Sequence, residues 1–174
     1  LKVVAPATAH DAKGLLLAAF ADPNPVIFLE HKKLYRSVTG PVPEGMFTEA
    51  LGQARVARAG HDATIITYGV GVHWALDAAA ASADQGREVE VIDLRTLVPF
   101  DHQTCIDSVV RTGRLLIVQE GQWSGGLGHT VQSRILEDAF WALEAKPVVI
   151  GALDTPVPFS PPLEDHTLPD LKLV

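Results

Sequence analysis

From residue 63 onward the sequence alternates short apolar runs with segments of helical periodicity, and few folds accept that rhythm. Residues 63–68 read as a strand, and residues 72–83 as an alanine-rich helix that ends before Gly86. Residues 89–94 form the next strand, closed by Pro99. Residues 103–111 space Cys105, Ile106, Val109 and Val110 onto one inward face, with Gly113 as the stop. Residues 115–118 are a continuous apolar strand and residues 147–150 the last one. Between them, residues 127–143 predict one long helix with Leu127, Val131, Ile135, Ala139, Ala142 and Leu143 along one side. Short apolar strands alternating with helices mean parallel β-α-β units covered on both faces. The expected fold class is therefore α/β, a three-layer helix-sheet-helix arrangement with a mainly parallel sheet.

The chain before this region has a different texture. Val3-Val4-Ala5 is a strand ended by Pro6, and Thr8 and Asp11 stand three apart as in a helix capping box. Ala12, Leu15, Leu16, Ala19 and Phe20 then recur on one apolar helical face. Asp22-Pro23-Asn24-Pro25 must break that helix, because each proline disfavours helix in the residue before it. Residues 26–29 predict a buried strand. Gly40, Pro41, Pro43 and Gly45 mark a linker. The expected organisation is residues 1–36 as a separate strand-helix-strand unit, 37–50 as linker, and 51–174 as the main domain. The opening Leu1-Lys2-Val3-Val4 starts inside a strand-like run, so the chain is expected to be a piece or processed product of a longer one.

Composition narrows the function classes. The chain is 47% hydrophobic, enough for a sizeable core. Its formal net charge of −7 argues against nucleic acid, whose phosphates require clustered cations. No apolar run approaches the ~18 residues that would span a bilayer. Cys105 is the only cysteine, which excludes an internal disulfide and a cysteine-based zinc site and fits a reducing cytoplasm.

Individual motifs carry chemistry only weakly. Gly125-Gly126-Leu127-Gly128 opens a helix and could hold an anion on free backbone N–H groups, but it lacks the G-x-G-x-x-G spacing. A tight turn against packed backbone is the better reading. None of the seven histidines has zinc-ligand spacing. His31, beside Glu30 at a strand end, reads as a solvated pair before it reads as a functional edge. Ser124 is not in a nucleophile elbow. Asp154-Thr155-Pro156, with Pro158, Pro161 and Pro162, forms a rigid extended tail suited to packing on a partner or its own domain. Asp22 and Asn24 flank a helix C-terminus, where unpaired carbonyls favour a hard cation. An Asx turn that stops the helix is the simpler reading there.

Several runs in order resemble the E1 β subunits of the pyruvate and branched-chain 2-oxo acid dehydrogenases. They are Leu1-Lys2-Val3-Val4-Ala5-Pro6, Asp11-Ala12-Lys13-Gly14-Leu15-Leu16, and Asn24-Pro25-Val26-Ile27-Phe28-Leu29-Glu30-His31. Further on come Val91-Ile92-Asp93-Leu94-Arg95-Thr96-Leu97, Thr112-Gly113-Arg114-Leu115 and Asp154-Thr155-Pro156-Val157-Pro158. The resemblance implies a transketolase C-terminal-like domain over residues 51–174, preceded by the end of a pyrimidine-binding domain.

It also implies thiamine diphosphate and magnesium in the intact enzyme only. The activating glutamate and active-site histidine would lie upstream of Leu1, and the phosphate and magnesium site on a partner α subunit. No catalytic or cofactor-binding residue is then expected in this chain, which by itself should be inactive. The implied role is assembly with the α subunit and a second β subunit, and docking of the E2 subunit-binding domain near Glu144, with Glu137 and Asp138 adding acidic charge. A structural potassium ion, held by the Ala19 carbonyl, Asp22 and Asn24, is implied for the intact subunit. Family chains usually run on through a further helix, and the Gln122-Trp123-Ser124 segment varies among them, so the substrate stays open between pyruvate, a branched-chain 2-oxo acid and an acetoin-type compound. The alternatives are a stand-alone interaction domain without a catalytic partner and, with weaker support, the C-terminal domain of a transketolase or deoxyxylulose phosphate synthase.

Overall fold

The computed structural model describes residues 1–169, so the expected end of the second unit at 174 lies outside the described residues. The element order begins with β1 (Lys2–Val4), α1 (Ala9–Ala21), β2 (Val26–Phe28) and a short α2 (Leu34–Ser37). It continues with β3 (Arg55–Arg58), β4 (Ala63–Thr67), α3 (Gly71–Ala83), β5 (Val89–Asp93) and β6 (Thr96–Val98). α4 (His102–Thr112), β7 (Leu115–Gln122), α5 (Leu127–Ala139), β8 (Val148–Ala152) and α6 (Pro161–Thr167) complete it.

Five strands form the main sheet in the order β3-β5-β4-β7-β8. β4, β5, β7 and β8 run parallel, and only the edge strand β3 is antiparallel to its neighbour β5. The inner strands carry apolar side chains on both faces because both faces are covered. Ile66, Ile92 and Ile117 face one side, where Cys105 and Val109 of α4 and Val131 and Ile135 of α5 pack on them. Ile65, Val91 and Val118, one residue out of phase, face Ala75 and Ala79 of α3. The period of two along each strand thus feeds two separate apolar layers. The α/β fold expected from the sequence is the one observed.

Several local expectations are corrected. Residues 1–36 do form strand, helix, strand, but they do not stand apart: β6 pairs antiparallel with β1, completing a second sheet of order β2-β1-β6. β3 and β6 escape sequence reading because they are short, and β3 carries arginines at both ends, which blunts a sheet edge. The helix expected over 127–143 ends at Ala139, and Phe140–Ala142 is a separate 3₁₀ turn. Val110 is 51% exposed, because the buried stripe of α4 runs Cys105, Ser108, Val109 and Thr112, and Val110 lies one step beyond it. In α1 the buried residues are Asp11, Gly14 and Leu15, whereas Phe20 of the expected apolar face is 81% exposed. β2 is not buried either, with Ile27 and Leu29 open to solvent.

Candidate functional site

Parallel strands point their carboxyl ends the same way, and in open α/β sheets ligands bind there, where the strand order reverses. Here β5 lies on one side of β4 and β7 on the other, so that point is the β4–β7 boundary. Just past β4 stands Tyr68, and near the end of β7 stands Glu120. The carboxyl end of β2 brings His31 to the same place: His31 Nε2 lies 2.8 Å from Glu120 Oε2, across 89 residues of chain. Burial, and then the charge of Glu120, push the Tyr68 phenol above its ordinary range. The sequence reading of His31 as a solvated strand-end pair with Glu30 is thus replaced: its partner is Glu120, and Glu30 instead hydrogen-bonds Tyr35 and pushes that phenol up.

A crevice of about 280 Å³ opens beside this pair. Pro6, Ala7 and Ala12 give it an apolar wall, and Thr8, Glu30, His31 and Tyr35 supply polar groups. A second histidine fixes the wall: His73 Nε2 lies 2.8 Å from the Ala7 carbonyl and so carries a proton to donate. The arrangement can orient an imidazole by a carboxylate and hold a small polar ligand against apolar walls.

The glycine-rich turn resolves as packing. Gln119 is fully buried, and its Oε1 accepts the Gly128 N–H at 2.6 Å while its Nε2 donates to the Gln122 carbonyl at 2.6 Å. A Cβ on Gly126 would sit 1.8 Å from Gln119 Nε2. At the α5 N-terminus the Gly128 N–H is therefore taken by a protein carboxamide. Ser124 donates from Oγ and from its backbone N–H to Asp154, at 2.7 and 2.8 Å, which holds the Asp154 carboxyl below its usual range. That pair ties the β7 end to the tail and leaves no activated hydroxyl.

At the end of α1, Asp22 Oδ1 accepts from the Asn24 backbone N–H at 2.9 Å and from Asn24 Nδ2 at 3.2 Å, an Asx turn. The other oxygen is paired with the Lys2 ammonium. The hydrogen bond from Lys2, and then that from the Asn24 backbone, hold the Asp22 carboxyl below its usual range. Of the three expected cation ligands, Asp22 is thus engaged through both carboxylate oxygens. Glu144 lies past the 3₁₀ turn rather than on α5, and its carboxylate is 2.8 Å from Arg114. Glu137 pairs with Arg134 at 2.8 Å, and Asp138 lies 3.8 Å from His102. Among the described residues no group of three or more His, Cys, Asp or Glu side chains is placed to hold a metal. Burial pushes the Cys105 thiol up to about 12, so it is inert.

A buried charge cluster was not foreseen. Arg95 Nη1 donates to Asp11 at 3.1 Å and to Glu49 at 2.9 Å, while Arg55 Nη2 lies 3.2 Å from Asp93 and 3.4 Å from Asp11. Arg95 also takes a left-handed backbone, φ 54°, which is costly for a side chain this large. The one available signal was an aspartate directly after two apolar residues at the end of a strand, Val91-Ile92-Asp93.

Residues 52–174 match the family described as transketolase, C-terminal domain, and the chain belongs to that family. Among its relatives is the acetoin:2,6-dichlorophenolindophenol oxidoreductase subunit beta of Cupriavidus necator, 47% identical over 97% of this chain and 50% of that protein. Two proteins named pyruvate dehydrogenase E1 component subunit beta are similarly close. That of Bacillus subtilis is 49% identical over 92% of this chain and 49% of its own length. That of Rhizobium meliloti is 45% identical over 98% and 37%. A solved structure described as a split gene transketolase, inactive beta4 tetramer, superposes with a TM-score of 0.77 at 27% identity, covering 95% of this chain and 52% of that one. The chain thus spans about half the length or less of the relatives it matches. No helix among the described residues is long and apolar enough to cross a membrane.

Proposed function

We propose that the chain is the C-terminal part of the β subunit of a cytoplasmic 2-oxo acid dehydrogenase E1 component, serving subunit assembly and E2 docking. The reading is carried by identity of 45–49% to two E1 β subunits across almost the entire chain. In this reading residues 1–36 end a pyrimidine-binding domain, 37–50 form a linker, and 51–174 are the transketolase C-terminal-like domain. Thiamine diphosphate and magnesium are then held by the rest of the enzyme; at the glycine-rich start of α5, Gln119 already takes the Gly128 N–H. The substrate is pyruvate, a branched-chain 2-oxo acid or an acetoin-type compound. The test is a dye-reduction assay on each substrate, using the intact β subunit with its α partner and, in parallel, this chain alone. Turnover by the assembled pair and none by the chain alone is expected. Turnover by the chain alone, or failure of the pair on all three, removes the reading.

Docking of the basic E2 subunit-binding domain is proposed to involve Glu144. Paired charges across such an interface mainly set association rate and salt dependence. In the intact E1, Glu144→Lys should slow E2 association about 10-fold at low salt and leave decarboxylation unchanged. Unaltered association kinetics would take Glu144 out of the interface. For potassium, the Ala19 carbonyl, Asp22 and Asn24 are proposed ligands in the intact subunit, with the ion displacing the Lys2 ammonium from Asp22. Asp22→Ala should abolish any rise in melting temperature on adding potassium; a rise equal to that of the wild type would place the ion elsewhere.

A further inference from the structure

Three stretches far apart in sequence place charge at one buried point. α1 contributes Asp11, the segment leading into β3 contributes Glu49 and the first residue of β3 is Arg55, while Asp93 ends β5 and Arg95 follows it. The Asp93 side chain is fully buried, and those of Asp11 and Arg95 are 2% and 7% exposed. Three carboxylates face two guanidiniums, one negative charge in excess; Asp93 and Asp11 lie at the buried end, whereas the Glu49 and Arg55 side chains are 26% and 37% exposed. Such a charge costs free energy unless a proton or another cation joins it.

The remaining groups around the cluster do not cancel that charge at its buried end. His10 Nδ1 is 3.7 Å from Glu49 and 3.9 Å from Asp11, on the outer side, where its ring packs on Phe47. Lys13 sits 5.3 Å over the Phe47 ring. Asp101 adds a further carboxylate near Arg95, but it is spent on the Ala54 N–H and on Thr104, and these bonds hold it low despite partial burial. The cluster is also a mechanical joint. Gly14 of α1 is pressed so closely on Glu49 and Phe47 that a Cβ there would lie 2.6 Å from Glu49 Cγ, and the Glu49 N–H bonds the Gly14 carbonyl at 3.1 Å.

We propose that this cluster is an acid-tightened latch: it holds α1 and the segment before β3 against the main sheet most firmly when it has taken up one proton, and loosens as that proton leaves. Asp93 is the group that takes it. Burial, opposed by Arg55, raises its carboxyl from 3.8 to about 6. Opening the latch returns Asp93 to water and to the ordinary value, so opening releases the proton. The stabilisation is complete below about pH 4 and is lost as pH rises through about 6. Nothing in this depends on the assignment to an E1 subunit.

Hydrogen exchange, corrected for the intrinsic chemical rate, reads the latch directly. In the wild-type chain, the opening constant of α1 amides should rise roughly 20-fold between pH 4.5 and 7, with the amides of β4 not following. In Asp93→Asn the α1 opening should be flat with pH, because the titrating group is gone, although the single amide oxygen keeps only one of the two bonds that the carboxylate accepts, from Arg55 Nη2 and from the Arg95 N–H. A flat wild-type profile, β4 moving in step with α1, or an Asp93→Asn chain that keeps the slope would each overturn the latch. Should Asp93→Asn not fold, the wild-type carboxyl carbon shift decides: a midpoint near 6 upholds the proposal, and one near 4 ends it.

Discussion

Arg95→Ala is expected to destabilise the chain by about 3–5 kcal/mol, the largest effect of any polar substitution in it. The guanidinium bonds Asp11, Glu49 and the Gln53 carbonyl at once, at 3.1, 2.9 and 3.2 Å. Truncation leaves Asp11, 1% exposed, with Arg55 at 3.4 Å as its one guanidinium, besides the Thr8 hydroxyl at 2.7 Å and the His10 ring at 3.9 Å. An unpaired buried charge costs far more than the pair contributed, which is why removing one partner is worse than never having had either. Arg95→Lys should recover only part of the loss, since a single ammonium cannot span three acceptors on different segments. Arg95→Gly should be milder than Arg95→Ala by about 1 kcal/mol, because glycine accepts the φ of 54° without strain. Urea unfolding followed by tryptophan fluorescence measures all three. A loss under 1 kcal/mol for Arg95→Ala would show that the cluster contributes nothing to holding the segments together.

Gly60→Ala should be nearly as damaging, for a steric reason. A Cβ at Gly60 would lie 2.3 Å from the Glu90 nitrogen and the Val89 carbonyl carbon, and 2.6 Å from the Glu88 oxygen. All three are backbone atoms at the start of β5, which no side-chain rotation can move. The contact is close because the turn before β4 rests on that backbone: the N–H groups of His61 and Asp62 both bond the Glu88 carbonyl, at 2.8 and 2.9 Å. Relief requires β4 and β5 to part at their first residues, at a cost on the order of 3 kcal/mol. Gly86→Ala is the control. Its φ is 76° with no atom near the added carbon, so only backbone strain of about 1 kcal/mol is expected. If both variants lose the same stability, the crowding at Gly60 is absent in solution.

The features legible in the sequence are those encoded over a few residues. The alternation of apolar runs and helical spacing placed β4, α3, β5, α4 and β7, because burial on both faces demands continuous apolar strands. Thr8 caps α1 through the Asp11 N–H, Gly113 ends α4 with a left-handed φ of 67°, and Asp22 with Asn24 makes an Asx turn, each a rule of three or four neighbouring atoms. Side chains that meet only after the sheet closes are not encoded that way. Asp11 and Arg95 are 84 residues apart, and His31 and Glu120 are 89 apart. β6 is three residues long and gains its identity as a strand only from β1. Gln119 reads as one more polar residue until the glycines of the next turn close over it. In the sequence a charged or polar side chain signals exposure, and only packing from elsewhere in the chain converts it into a buried partner.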